Sequence, residues 1–532
     1  MTLISPSKTL SKNPAPVPAT VPRLSPRWRL LLALLAGAAL PLAFAPVGFW
    51  PLSLLSPAVL LLLLQGSTPR RAFVLGWLFG LGQFGVGVSW LYESFTLFGG
   101  AVAPLAAFIT FIFAALVAVY LGLTAWLATW VSGGNAAAGS ALGGRQIAAF
   151  TGSWVFFEWL RGWVFSGFPW LDLGIAQTAS PLGGFLPVVG EYGTSFIVVG
   201  LAGALAWFAE RMRQSPQKLG PSAFVLTGAL VFFLGLGSLL GRVAWTHPTA
   251  SPLSVGIAQA NVPQMQKFDP AFLNKTLQTY VALTEQMGPV SLVIWPETAI
   301  PDVLSDLDGF KQILDDRAKT HQQDFLVGAF TQDAQGRYYN TLVGVPESVG
   351  QHRKAHLVPF SEYMPLRPIV DLFAGLIDIP MSDLSPGAPN QPLPQVQGIK
   401  VGASICYEAD FARDIRMSLP AAGFLVNVSN DSWFGDSFAP HQNLQMAQVR
   451  ALEFGRPMAR ATNTGISAFI DAQGRIVQKL GVNQQGVLVG SIQPYQGSTP
   501  FYWLQSWPII FLSGLLLAGV MGFRLKARRI ID

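Results

Sequence analysis

The sequence predicts a multi-span α-helical membrane domain joined to an exported domain of strands and helices, layered α-β-β-α. Two observations carry that prediction. Hydrophobic residues fill 51% of the 532 positions and charged residues only 12%, about half the charged fraction of a soluble domain. A chain so poor in charge must hide surface in something larger than its own core. The apolar runs are also unevenly placed. They crowd before residue 248 and return after residue 500, and the stretch between carries more charge and short strand-like runs.

Residues 1–27 are rich in Pro, Ser and basic residues and read as a disordered cytoplasmic tail. Apolar stretches follow at about 28–46, 50–65, 72–95, 101–131, 147–165, 192–209, 223–245 and 506–523. Each is near the ~20 residues that cross a ~30 Å apolar slab. Backbone in hydrocarbon must satisfy its own hydrogen bonds, so these eight are read as transmembrane helices. The second is short and the fourth long, so tilt or a break is expected there. Arg27 and Arg29 precede the first span, Arg70 and Arg71 follow the second, Arg145 the fourth, Arg211, Arg213 and Lys218 the sixth, and Arg524 to Arg529 the last, while the alternate connections are almost free of basic residues. That alternation puts both termini in the cytoplasm and the large segment between spans seven and eight outside. Ala43-Phe44-Ala45 has the small-x-small look of a cleavage site, but Pro46 would follow the cut, so an uncleaved first helix is favoured. Glu158 and Arg161 share one helical face within a span, where charges are costly, and mutual pairing is the expectation.

Strand-like runs occur at 253–260, 292–295, 325–330, 341–345, 401–406, 424–428, 466–470 and 487–492. Asp269-Pro270 reads as an N-cap with a first-turn proline, followed by Phe272, Leu273, Leu277, Tyr280 and Val281 at helical spacing. Strands alternating with helices give an α/β or layered α-β-β-α unit over 248–500. The domains are therefore the tail 1–27, seven helices over 28–247, the exported domain 248–500, and an eighth helix with its tail over 501–532. The Gly/Ala-rich stretch Gly133–Gly144 lacks the Gly-Lys-Ser/Thr of a phosphate loop and reads as a cytoplasmic connection.

Some chemistries are disfavoured. The net charge of +6 is spread out, with no basic run interleaved with aromatics, so nucleic acid is not an expected partner. One cysteine permits no internal disulfide. Five histidines occur, and His352 and His356 flank Lys354 just ahead of Pro359, a poor metal helix; neither metal nor other cofactor is expected. Nothing in the sequence calls for more than a monomer.

Three polar residues sit at or beyond the ends of apolar runs. Glu297 follows Leu292-Val293-Ile294-Trp295-Pro296. Cys406 follows Val401-Gly402-Ala403-Ser404-Ile405. Lys354 lies in Arg353-Lys354-Ala355-His356. Alone, Glu297 is a strand-end cap and Lys354 a solvated loop charge; their combination with a lone thiol is harder to dismiss.

Trp295-Pro296-Glu297-Thr298, the Lys354 loop and Ile405-Cys406-Tyr407-Glu408 resemble the carbon–nitrogen hydrolase (nitrilase) superfamily, whose members use a Glu-Lys-Cys triad. Further segments narrow the resemblance to the apolipoprotein N-acyltransferase family. They are His356 through Tyr363, Asn427 through Gly435, Arg450 through Pro457, and Glu158 through Trp163 with Gly167-Phe168-Pro169-Trp170. Ser361 stands where that family is expected to carry glycine. The resemblance runs over nearly the whole chain after residue 27. It implies a nitrilase-like α-β-β-α sandwich on the periplasmic side of a bacterial inner membrane. It also implies a reaction: an acyl chain moves from a phospholipid to Cys406 as a thioester, then to the free amino group of the diacylglyceryl cysteine of an apolipoprotein. Glu362 and Glu408 resemble further carboxylates of the family site. Glu362 is expected to position Lys354 or Glu297, and Glu408 to orient the turn around Cys406.

The residue chemistry is compatible with this. Moving a proton from a thiol to a carboxylate is uphill by about 4 pKa units, roughly 6 kcal/mol. Burial is expected to raise Glu297, and the Lys354 ammonium to lower Cys406. Lys354, with backbone N–H groups near Tyr407, is also expected to hold an oxyanion. Phe268, Phe360, Trp433 and Phe434 could contact acyl chains or be core. The rival readings are a membrane-bound amidase, which shares every triad residue, and a transporter or receptor with an exported binding domain, disfavoured because the motifs lie outside the spans.

Overall fold

The computed structural model describes residues 25–133, 142–214, 219–359, 361–364 and 383–529. Residues 1–24 of the expected tail lie outside that description, as do residues 134–141 of the Gly/Ala-rich connection.

Among the described residues, five helices are long and apolar enough to cross a membrane: Pro26–Ala43, Ala103–Ser132, Pro181–Gln214, Gly220–Leu240 and Trp507–Lys526. Pro69–Gly87 and Trp90–Leu97, bent by 53°, make a sixth if taken as one broken span. Two expected spans fall short by this measure. Leu52–Leu64 has 13 residues, and Gly144–Arg161 carries Arg145, Glu158 and Arg161 within 18 residues. The expected break in the fourth stretch is found in the third. Ala103–Ser132 runs 30 residues unbroken, whereas the chain bends after Gly87 and passes through a π-helical turn over Ser94–Phe98.

Glu158 and Arg161 do not pair with each other. Arg161 forms an ion pair with Asp172 and donates to the Phe168 carbonyl at 3.1 Å, while Glu158 accepts from Leu173 N–H at 2.8 Å. The irregular segment after Gly162 folds back into the bundle. Its polar groups need partners in a medium without water, and these two side chains supply them.

Fourteen strands follow in the described residues: β1 (Thr246–Pro248), β2 (Leu253–Gln259), β3 (Leu292–Val303), β4 (Asp324–Gln332), β5 (Tyr338–Val345), β6 (Gln351–Arg353), β7 (Gln395–Val396), β8 (Ile399–Ile405), β9 (Phe424–Ser429), β10 (Met458–Thr462), β11 (Ser467–Ile470), β12 (Ile476–Leu480), β13 (Gly486–Ile492) and β14 (Tyr495–Gly497). Two six-stranded sheets have the orders β13-β2-β3-β4-β5-β6 and β12-β11-β10-β9-β8-β7, and β1 pairs with β14. Within them β2-β3-β4 and β8-β9-β10 run parallel.

The period-2 geometry of strands sorts the side chains into layers. Leu292 and Ile294 of β3 meet Val401, Phe424, Val426 and Val428 between the sheets. Val293 and Trp295 face the other way, onto Leu277, Tyr280 and Leu283 of helix Pro270–Gln286 and Leu314 of helix Asp308–His321. That first helix is capped as expected, with the Asp269 carboxylate accepting from Ala271 N–H at 2.9 Å. Leu425 of β9 and Met458 of β10 pack under Leu444, Ala447, Ala451 and Phe454 of helix Ala439–Phe454. The result is an α-β-β-α sandwich.

Helix Ala439–Phe454 has a second face that joins the membrane bundle. Met446 and Val449 enter the bundle's core. Gln442 accepts from Trp170 Nε1 at 2.6 Å, Gln445 accepts from Ala45 N–H at 2.9 Å, and Arg450 Nη2 pairs with Glu191 Oε2 at 2.6 Å. The sandwich is thus seated on the bundle through buried polar contacts.

Within the bundle, helices Pro69–Gly87 and Ala103–Ser132 touch backbone to backbone. A Cβ built on Gly76 would fall on the Leu121 carbonyl oxygen and the Ala125 methyl. Such small-residue contacts hold helices in lipid, where no hydrophobic force drives them together. Gly76→Val should therefore lower the detergent-solubilised melting temperature, by overpacking of roughly 1–3 kcal/mol. Gly85, whose Cβ would meet nothing within 4 Å, should tolerate Ala with no loss in the same melt.

Candidate active site

The sandwich's parallel strands end on one edge, where α/β proteins commonly bind ligands. Cys406 and the Asn430-Asp431 loop lie there, just past the ends of β8 and β9, and Glu297 of β3 joins them through its bonds to Asn430 and Lys354. Three residues at this edge hold left-handed backbone without being glycine: Thr298 (φ 47°), Cys406 (φ 51°) and Asp431 (φ 54°). Such conformations cost of order 1–3 kcal/mol each and collect where geometry serves a function. Glu297 differs from its expected place. β3 does not stop there but runs on to Val303, with its register broken between Trp295 and Ile300. The carboxylate leaves the strand at that irregularity.

Lys354 is 1% exposed. Its Nζ lies 2.8 Å from Glu362 Oε1 and 3.3 Å from Glu297 Oε1. Asn340 Nδ2 donates to the same two oxygens, at 3.2 and 2.7 Å. The other Glu297 oxygen accepts from Asn430 N–H at 2.9 Å. Glu362 Oε2 takes Val358 N–H at 2.8 Å, tying it to the Lys354 loop. Glu408 clamps that loop to the cysteine turn: it accepts from Ala355 N–H and Ile405 N–H, both at 2.7 Å, and meets His352 Nε2 at 2.9 Å.

One ammonium here was not singled out from sequence. Lys267, 2% exposed, donates to the Glu297 carbonyl at 3.0 Å and to Asn430 Oδ1 at 2.8 Å. Its neighbour Phe268 was the only hint.

The electrostatics run opposite to the sequence expectation at two groups. Burial pushes Glu297 up, but Lys354, Lys267 and the hydrogen bonds from Asn340 and Asn430 outweigh it and hold the carboxyl below its ordinary range. Burial pushes the Cys406 thiol well up, Glu297 adds to this, and Lys354 only partly offsets it. Burial opposes the charge on Lys354, yet Glu297 and Glu362 keep it firmly protonated. Burial lowers Lys267 to about 7 against the pull of Glu297. At neutral pH the cluster therefore holds a protonated thiol, an ionised carboxylate and an ammonium.

The site's rim touches the membrane bundle. Tyr407 Oη donates to the Gly167 carbonyl at 2.6 Å. His356 pairs with Asp414 at 2.6 Å, and its Nε2 lies 3.1 Å from the Ser166 carbonyl. Ser94 Oγ donates to the Trp433 carbonyl at 2.6 Å. Phe434 stacks edge-on with Trp90 at 4.9 Å and packs beside Trp170 at 6.1 Å. Phe434 is thus a packing contact between the two domains, and Phe268 is 37% exposed. Phe360 lies outside the described residues.

A sandwich with an acid, an amine and a thiol on one strand edge defines a carbon–nitrogen hydrolase domain, and the family model of that description, Carbon-nitrogen hydrolase, matches residues 254–500. The model Apolipoprotein N-acyltransferase N-terminal domain matches residues 36–204. The chain belongs to the apolipoprotein N-acyltransferase family. It is 42% identical to the apolipoprotein N-acyltransferase of Methylococcus capsulatus, over 94% of this chain and 96% of that one. It is 40% identical to that of Azotobacter vinelandii, over 94% and 95%. A carbon–nitrogen hydrolase crystal structure from Helicobacter pylori G27 aligns over 46% of this chain and 90% of its own, with 17% identity and a TM-score of 0.35.

Lys267→Met should move to higher pH the acid range over which the Glu297 carboxyl takes up a proton. Lys267 is charged in that range, since its pKa is about 7, and removing a positive charge beside Glu297 makes the carboxyl easier to protonate. The Glu297 carboxyl band followed across acid pH by infrared difference spectroscopy tests this; an unmoved titration would exclude Lys267 from the carboxyl's environment.

Proposed function

We propose that this protein transfers an acyl chain from a phospholipid to Cys406 and then to the amino-terminal cysteine of a diacylglyceryl-modified apolipoprotein. This reading rests on one juxtaposition: the chain's only thiol lies within electrostatic reach of Glu297 and Lys354, and Lys354 in turn pairs with Glu362, on a rim that leans against membrane helices. The family membership and the names of the relatives support the same reaction.

In the first half-reaction Glu297 takes the thiol proton as sulfur attacks the ester carbonyl of the phospholipid. The tetrahedral oxyanion is met by the Lys354 ammonium and by backbone N–H groups of the Cys406 turn. Collapse expels the lysophospholipid alkoxide, which takes the proton held by Glu297. In the second half-reaction Glu297 accepts a proton from the attacking amine, and the amide forms as the thiolate leaves and takes that proton back from Glu297. Glu362 positions Lys354. Glu408 fixes the Lys354 loop against the cysteine turn.

The position of the site suits the substrates, because both carry acyl chains held in a bilayer. The domain division of the sequence reading goes with this: tail 1–27, helices over 28–247, catalytic domain 248–500, last helix and tail 501–532. So do eight spans with both termini cytoplasmic, the short Leu52–Leu64 and charged Gly144–Arg161 helices included. The arginine and lysine pattern then puts the catalytic domain on the periplasmic face of the inner membrane. A monomer contains every group the mechanism uses.

Incubation with a labelled phospholipid, followed by mass spectrometry of the Cys406 peptide, should yield an acyl adduct that a diacylglyceryl peptide discharges. Release to water alone would mark an amidase-type hydrolase. Absence of any adduct would remove the mechanism. Cys406→Ala should abolish turnover with the melting temperature preserved. Lys354→Met should slow adduct formation by about 10²–10³-fold, the usual cost of losing an oxyanion donor.

A further inference from the structure

A cationic patch lies where the sandwich meets the bundle. The turn that carries Cys406 continues into the short helix Ala412–Arg416. Arg413 and Arg416 are three residues apart on it and share a face. The Arg413 guanidinium lies 4.5 Å from the centre of the Trp163 ring and 5.1 Å from that of Phe411. The Arg416 guanidinium lies 5.0 Å from the Tyr502 ring, and its Nε donates to the Tyr502 carbonyl at 3.0 Å. Stacking on rings fixes each guanidinium plane and directs its N–H fork outward. Arg413 reaches only distant acceptors, the Ser166 carbonyl at 3.5 Å and Asp414 at 3.6 Å, and Asp414 is already held by His356 at 2.6 Å. Among the described residues Arg416 has no carboxylate partner, and its two Nη atoms make no hydrogen bond. Two guanidiniums thus share one carboxylate, and the patch keeps a positive excess.

The surroundings are aromatic and exposed. Trp163 follows helix Gly144–Arg161, and Trp507 opens the last helix, Trp507–Lys526. Trp159 bridges them, its ring 6.2 Å from each. Trp163, Trp503 and Trp507 all stand open, Trp503 by 69%. Tryptophans at the ends of membrane helices mark the headgroup level of a bilayer. Phe165, in the same loop as Trp163, is 89% exposed. Its backbone is left-handed, as are those of Ser166 and Gly167, with φ of 55°, 75° and 94°. Non-glycine residues are held in that region at a cost and collect where the geometry is used. Two cations, three indoles and a bare phenyl ring match the parts of a phospholipid: phosphate, interfacial glycerol and acyl chain.

The contacts between this patch and the thiol are already taken. Phe411 packs on Tyr407 at 4.9 Å and on His356 at 4.1 Å. Tyr407 bonds the Gly167 carbonyl, and a Cβ built on Gly167 would fall on the Phe411 ring. A lipid seated on the arginines meets Phe411 and Tyr407 before Cys406. We propose that Arg413 and Arg416 hold the phosphodiester of one anionic phospholipid, a resident of the outer leaflet and not a substrate. A headgroup without an amine fits, because an ammonium would be repelled by the same two cations, whereas a phosphate can take both N–H forks. The lipid fastens the helix that continues the catalytic turn to the bilayer surface. This rests on the reading of the flanking helices as spans with the sandwich outside.

The test is native mass spectrometry of the full-length protein in detergent, titrated with phosphatidylglycerol or phosphatidylcholine. One phosphatidylglycerol should be retained about tenfold more tightly than phosphatidylcholine. Arg413→Gln and Arg416→Gln should each weaken it about fivefold and the double variant about twenty-fivefold, the usual effect of a basic residue at an anionic bilayer surface. Arg337→Gln removes an exposed arginine elsewhere on the sandwich and should change nothing. Photoactivatable phosphatidylglycerol should cross-link to Trp163–Gly167 and Tyr502–Trp507. The retained lipid should keep both acyl chains. Equal affinity in the double variant and the unaltered protein overturns the proposal, as does equal weakening by Arg337→Gln or cross-linking elsewhere. A lysophospholipid at the patch overturns its resident character and makes it the donor's seat. Should the double variant fail to fold, the cross-link map of the unaltered protein decides. The Cys406 adduct is measured in the same preparation. If none forms, the acyl-transfer reading has failed, whereas the lipid counts still judge the patch.

Discussion

The site depends on one buried charge. Lys354 is all but removed from solvent, and an ammonium taken out of water is tolerated only when paired and hydrogen-bonded. Glu297 and Glu362 supply the pairing, at 3.3 and 2.8 Å, and Asn340 crosses between the same two oxygens. Two carboxylates so close would repel each other if the cation were absent. Lys354 is therefore both what lets the two carboxylates lie so close and the reason their loops converge. β3 must break its register to deliver Glu297, and the Val358 N–H bond to Glu362 ties that carboxylate to the chain that carries Lys354.

A second constraint comes from the membrane. Helix Ala439–Phe454 is covered on both faces, by β9 and β10 on one side and the bundle on the other. This explains why it carries Gln442, Gln445, Arg450 and Glu453 among its apolar residues. A helix buried all round cannot be read as amphipathic, and its polar groups are spent on Trp170, Ala45 and Glu191. The active-site turns rest on the same platform through Tyr407, His356 and Trp433. Moving the sandwich would move the thiol relative to the bilayer, so the interface sets the depth at which a carbonyl can be met.

What the sequence disclosed follows from what it can encode locally. The strands rich in Val, Ile and Phe, such as β2, β4 and β9, are legible because both their faces are apolar. β10 is not: Met458-Ala459-Arg460-Ala461-Thr462 contains a fully buried arginine, and only tertiary pairing with Asn427 and Asp431 makes that tolerable. Glu297, Lys354 and Cys406 were legible as residue types at run ends, because an apolar run that stops at a charge is unusual. Lys267 was not, since it sits on a short polar helix with no pattern of its own. The Glu158–Arg161 expectation failed because helical spacing says which side chains are neighbours, not what a returning loop offers them. Asp172 and the backbone of Leu173 arrive from outside the helix and take both charges.

The directions of the shifts at Glu297 and Cys406 look unfavourable, since they widen the gap a proton must cross. They have a use. A thiol kept protonated by burial is a poor target for water-borne oxidants and electrophiles, which react with thiolates. A carboxylate kept ionised is always ready to accept. In the proposed mechanism the remaining uphill cost is met by something present only with substrate, the pull of the Lys354 ammonium on the oxyanion. That ammonium is spent on two carboxylates at rest, and its pull on an oxyanion appears only when a carbonyl is attacked. On that mechanism the empty site keeps its thiol quiet and the filled one activates it, which is what the proposed exchange of one lipid substrate for another asks of the nucleophile.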